Sequence, residues 1–112
     1  MWLNKKNKNL LLNQGEVAAL KKAIMYLKFS CEETESLLYA GSPLINSVFA
    51  KLLDIDDLGQ QAKEFYSKKH SQNERFILAK LKKSEEEDDI ILSKETREQF
   101  FEDCLYPFTK NE

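Results

Sequence analysis

Apolar side chains recur along this chain at intervals of three and four residues, the spacing that collects them on one face of an α-helix. Val17, Leu20, Ile24, Leu27 and Cys31 form the first such stripe, with Lys21, Lys22 and Lys28 off it. The pattern predicts a helix over about 16–28 with a core face and a basic outer face. Its start is marked by Asn13-Gln14-Gly15-Glu16. There Asn13 caps the Glu16 N–H and the Glu16 carboxylate reaches back, a variant of the capping box.

Further starts follow the same logic. Ser30-Cys31-Glu32-Glu33 is a Ser-x-x-Glu box, and Gly41 stops the helix it opens. Ser42-Pro43 restarts the chain, with the proline at the first helical position, where its missing N–H costs nothing. Ile45, Val48, Phe49, Leu52 and Leu53 then make the cleanest amphipathic stripe and predict a helix over 43–53. Asp54, Asp56 and Asp57 cap a fourth helix that turns Leu58, Ala62, Phe65 and Tyr66 inward and ends near Lys68-Lys69. Ser71 opens a fifth helix carrying Phe76, Ile77 and Leu81, and Ser93 a last one carrying Phe100, Phe101, Cys104 and Leu105, closed by Pro107. Between these two lie the consecutive acids Glu85 to Asp89, and a solvated acidic loop is expected over 84–89.

The expected fold is therefore all-α: a compact bundle of about five or six short helices forming one domain over 1–112. Residues 1–12 are the least defined, since Leu10 to Leu12 read equally as a strand, a pre-helical staple or a first turn. A short extended segment is expected near 8–12 or 90–92. No sustained heptad supports a coiled coil, and no internal repeat supports a solenoid.

Composition narrows this picture. Three glycines and two prolines are too few for a many-turned sandwich or barrel. The longest apolar runs fall far short of the roughly 18 residues a membrane span needs, and the first residues lack a signal-peptide core. A cytoplasmic protein without membrane contact is expected. Cys31 and Cys104 stand far apart with no Cys-x-x-Cys pattern, which reads as two free thiols. The large excess of lysine over arginine hints at an AT-rich, bacterial or phage gene.

Chemistry-bearing motifs are sparse. His70 is the single histidine, in the polar run 67–71, and no metal-ligand spacing or glycine-rich phosphate loop accompanies it. Asp54, Asp56 and Asp57 read as caps rather than as an acid–base pair or an EF-hand. No cofactor, no metal and no catalytic residue are expected, and the chain reads as a non-enzyme.

Charge is more informative than its formal total of −2. Three lysines and no acid occupy 1–15, whereas 63–83 holds seven basic groups and two acids. Ten acids against three bases fill 84–112. Either the acidic tail folds back to neutralise the basic helices, or one of the two charged surfaces binds a partner. The favoured functional reading is a protein-binding module acting by occlusion or scaffolding. Its surface would comprise Glu85, Glu86, Glu87, Asp88, Asp89, Glu95, Glu98, Glu102 and Asp103, with Phe101, Tyr106 and Phe108 as aromatic anchors. One form is an immunity- or antitoxin-like inhibitor of a basic toxin domain, an analogy of size and acidity without a motif. The alternative is a nucleic-acid-binding regulator using Lys63, Lys68, Lys69, Arg75, Lys80, Lys82 and Lys83, weakened by the scarcity of arginine and the adjoining acids. A homodimer is a further expectation the pattern allows.

Overall fold

The computed structural model describes residues 7–68, 70–88 and 92–109. The helix-start signals at Asn13, Ser42 and Ser93 act as predicted, whereas Ser30 closes the first helix instead of capping a helix of its own. The fourth helix begins after Leu58 without the side-chain cap expected from Asp54, Asp56 or Asp57. Asn13 Oδ1 accepts the Glu16 N–H and Glu16 Oε1 accepts the Asn13 N–H, closing the capping box of α1 (Gln14–Phe29). Leu12, just before the cap, packs against the cluster that contains Val17, so of the three readings of Leu10 to Leu12 the staple is the one adopted. A 3-10 turn (Thr34–Ser36) runs into the four-residue α2 (Leu37–Ala40), shorter than the helix expected from the Ser30 box. Ser42 caps α3 (Pro43–Ile55) through the Ile45 N–H. After α4 (Gly59–Tyr66) come α5 (Ser71–Asp88) and α6 (Lys94–Leu105), the last capped by Ser93 on Thr96.

The expected acidic loop over 84–89 is corrected by α5, which stays helical through Asp88. Two ties outside the helix hold it: Glu85 Oε1 meets Arg97 Nη2 of α6 at 3.1 Å, and Thr34 Oγ1 donates to Glu87 Oε1 at 2.9 Å. Neither tie is legible from local sequence. No strand forms among the described residues: 8–12 is irregular and Leu92 likewise, while 90–91 lie outside the described residues.

Helix α1 packs on α2, α3 and α5, and so stands between two cores. One gathers Val17, Ile24, Phe49, Leu52 and Leu53; the other gathers Leu37, Ile77, Leu81, Phe101, Cys104 and Leu105. Met25 and Tyr66 touch both. Each fully buried Leu, Ile or Phe contributes about 1.5–3 kcal/mol. Aromatic edges add geometry: Phe49 meets Tyr66 and Tyr106 edge-on at 5.9 and 6.2 Å, and Phe108 meets Phe29 and Tyr66 at 5.2 Å each.

The inward face of α1 departs from the predicted stripe. Val17 and Ile24 are buried, but Leu20 is exposed and Lys28 is 0% exposed. Lys28 donates to the carbonyls of Ala40, Asp103 and Cys104 at 2.6, 3.0 and 3.3 Å. These lie in the last turns of α2 and α6, where helix carbonyls lack partners and the dipole is negative. Lys80, 3% exposed, does the same for α1, donating to Leu27 O, Cys31 O and Ser36 Oγ at 3.0, 2.9 and 2.7 Å. Two buried ammonium groups thus satisfy carbonyls at three helix ends, beside the backbone C-caps Ser30, Gly41 and Tyr106. Burial pushes the Lys28 amine down to about 8 and lowers Lys80 as well.

Gly41, at the end of α2, makes room for Phe100 of α6: a Cβ there would lie 2.2 Å from the ring. Gly41→Ala should destabilise the fold by about 1–3 kcal/mol, the usual cost of overpacking. Urea denaturation checks this, and an unchanged midpoint would show that the ring swings freely aside.

Candidate functional site

Carboxylates of the 3-10 turn and of α5 meet at one groove, and α6, tied to α5 by Arg97, carries more. Glu35 comes from the 3-10 turn, Glu85, Glu86, Glu87 and Asp88 from the last turns of α5, and Glu95 and Glu98 from the first half of α6. The Arg97–Glu85 pair ties α6 to α5, and the Thr34–Glu87 hydrogen bond ties the 3-10 turn to it. No basic residue occupies the last turn of α5. Acids there oppose the helix dipole, each at a cost of about 0.3–1 kcal/mol. Stability alone does not favour that arrangement.

Of the predicted surface residues, Glu86, Glu87, Asp88, Glu95, Glu98 and Glu102 are exposed. Glu85 and Asp103 are half-buried, and Asp103 Oδ1 accepts from Gln99 Nε2 at 3.2 Å. Asp89 lies outside the described residues. The aromatic anchors are a correction. Phe101 and Phe108 are only 6% and 7% exposed, inside the second core, and Tyr106 is half-buried edge-on to Phe49. Phe101, Cys104 and Leu105 fall at i, i+3 and i+4 of α6, so the spacing itself marks them as a core stripe, whereas Phe108 lies beyond the end of the helix.

The apolar groups at this face are ones sequence reasoning did not select. A groove of about 490 Å³ opens between α2, α5 and the start of α6. Leu37, Leu81 and Phe100 line it, Leu38 and Leu92 border it, and Glu35, Glu85 and Asp88 supply its carboxylates. Leu38 is 74% exposed. A signal for it exists: Leu37 and Leu38 are adjacent on a helix, and adjacent helical residues point some 100° apart.

The basic segment is not presented as a stripe. Lys80 is interior, Lys63 pairs with Asp54 at 3.1 Å, and Lys69 lies outside the described residues. Lys68, Arg75, Lys82 and Lys83 remain on the surface. Likewise Leu58 and Phe65, read as core contacts of α4, are exposed, and with Lys21, Asp56 and Gln61 they line a second groove of about 640 Å³. Two of its charges are engaged with each other: Lys21 pairs with Asp56, whose carboxyl is held below its usual range first by that hydrogen bond and then by the Leu58 N–H.

Nucleophiles and metal ligands are not gathered. Burial pushes the Cys104 thiol up to about 11, which keeps it protonated and unreactive. The His70 ring rests 4.3 Å from Phe108 and 5.0 Å from Phe65 between ring centroids. Among the described residues no three His, Cys, Asp or Glu side chains assemble a metal site, and no helix is long and apolar enough to cross a membrane.

No protein-family model, curated protein or solved structure matches this chain.

Proposed function

We propose that this protein is a non-enzymatic, cytoplasmic binding module that recognises a protein partner through the acidic face of the 3-10 turn, α5 and α6. The observation that carries the reading is the meeting of carboxylates from the 3-10 turn and the end of α5, Glu35, Glu85 and Asp88, around an apolar groove that α6 closes with Phe100. Like charges held together at the negative end of a helix are a sustained cost, offset when a basic surface docks. The same charges repel a phosphate backbone, and the burial of Lys80 removes one member of the alternative nucleic-acid stripe. Occlusion of a basic cleft, as by an immunity- or antitoxin-like inhibitor, is one form this binding takes, supported by the acidity of the face and the size of the chain.

The test is capture from the native host. Wild-type protein should retain a stoichiometric protein at low salt and less of it at moderate salt. The variant Glu86→Lys/Glu95→Lys/Glu98→Lys, altered only at exposed positions, should lose it at least ten-fold. Equal capture by both proteins contradicts the acidic face as the recognition surface.

A further inference from the structure

We propose that the groove between α2, α5 and α6 receives one basic amphipathic helix of the partner, its apolar face on Leu38, Leu81 and Phe100 and its lysines or arginines toward Glu35 and Asp88. This rests on the acidic-face reading and names the occupant.

Four observations choose that occupant. The groove, at about 490 Å³, lies within the roughly 300–1,000 Å³ of well-formed binding sites, and its lining is mainly apolar. Its edge carries Leu38, an exposed leucine on a helix too short to hide it. Among the described residues there is no sheet edge to accept an extended strand, so a helix laid between helices is the recognition mode this surface offers. Finally, the charge is single-signed where it matters: among the described residues neither Glu35 nor Asp88 takes part in an ion pair, while Glu85 is matched by Arg97.

The same charges disfavour a second copy of this chain. A two-fold dimer formed face to face through this groove would place each set of carboxylates against its own symmetry mate. A cationic partner meets them with opposite sign, and its leucine-like side chains reach a surface already shaped by the missing side chain at Gly41 and the Phe100 ring beside it.

The test titrates methyl-labelled full-length protein with a synthetic 18-residue peptide of leucine and lysine, its leucines at i, i+3, i+4 and i+7. A second peptide has the same composition in non-amphipathic order. The first should shift the Leu38, Leu81 and Leu92 methyls in a saturable manner and bind at least ten-fold tighter than the second. Leu38→Lys, at an exposed site, should leave the remaining spectrum intact and weaken binding at least ten-fold. Equal binding of the two peptides, or binding indifferent to Leu38→Lys, overturns the proposal. So do Overhauser contacts from the Leu38 and Leu81 methyls to Ile90 or Ile91 in the free protein, which would make the chain its own occupant. Groove shifts that depend on protein concentration alone would assign the groove to a second copy and equally overturn it. The acidic-face reading fails separately. If the native partner is lost on reversing Glu86, Glu95 and Glu98 but kept by Leu38→Lys, the groove helix is wrong and the acidic face stands; if neither change matters, both are wrong.

Discussion

Lys28→Met should lower the unfolding free energy by about 2–5 kcal/mol at pH 7, a large part of the roughly 5–15 kcal/mol typical of a folded protein. Methionine fills similar space, but it cannot donate. Ala40 O and Cys104 O then lose the ammonium, whereas Asp103 O keeps a donor in Asn46 Nδ2 at 2.9 Å. Orphaned buried carbonyls cost about 1–3 kcal/mol each. Replacing a buried charge with an apolar group is often harmless, but only when its partners are replaced too, and here they are backbone.

The pH dependence of that variant has a defined sign. Lys28 titrates near 8 in the folded protein against an ordinary value of 10.5. Between those values the unfolded chain binds more protons than the folded one, so this group makes stability rise with pH, and its penalty is full below 8 and gone above 10.5. Cys104 opposes it. Its thiol, raised from 9 to about 11, keeps its proton in the fold, and its contribution falls as pH climbs through that interval. Comparing Cys104→Ala with Lys28→Met/Cys104→Ala removes the thiol from both. The destabilisation caused by Lys28→Met should then grow between pH 8 and pH 10 by about 1–3 kcal/mol. Urea titrations at several pH values check this; a flat or shrinking difference contradicts a buried Lys28 amine.

The second large effect is expected at Gly59. A Cβ there would sit 2.1 Å from Leu53 O in the last turn of α3, backbone that cannot swing away like the end of a side chain. No glycine in the described residues has positive φ, so the requirement is for space rather than for a left-handed backbone. Helix propensity alone would make alanine better by about 1 kcal/mol. Gly59→Ala should nonetheless destabilise by about 2–4 kcal/mol, because the turn joining α3 to α4 must open. The urea midpoint should fall with the slope unchanged. A stabilised variant would mean that propensity wins and that the turn has slack.

These two positions show where sequence reading succeeds and where it stops. Caps are local, so Asn13, Ser42-Pro43 and Ser93 place their helices within a residue or two of the observed starts. Inward orientation is less local. The spacings 17-20-24-27 and 17-21-24-28 both satisfy helical periodicity, and hydrophobicity selects the former. The structure turns toward the latter, burying Val17, Ile24 and Lys28 and leaving Lys21 in its pair with Asp56. Lysine is admitted because its aliphatic stem packs while its ammonium finds three carbonyls at distant helix ends. Nothing local announces those acceptors. The end of α5 was hidden for the same reason, since Arg97 and Thr34 support the acid run from elsewhere in the chain.

The acidic half of the candidate surface was legible as a charge run, whereas its apolar half was legible only in part. Phe101 and Phe108 drew attention as aromatics near acids, yet the spacing of Phe101 with Cys104 and Leu105 already assigned it inward, while Phe108, past the end of α6, is buried by a turn that helical spacing does not foresee. Phe100, one step around the helix, became part of the groove. Leu38, next to Leu37 on one helix, was legible as turned away from it, and α2, only four residues long, leaves it uncovered.

Site-specific photo-cross-linking in the native host tests the central claim most directly. A photoreactive residue placed at Leu38 or at Glu86 should yield one adduct of the same mass, and the same probe at exposed Lys51 on α3 should yield none. Adducts formed from Lys51 while Leu38 and Glu86 stay silent would place the working surface away from the groove and its acids.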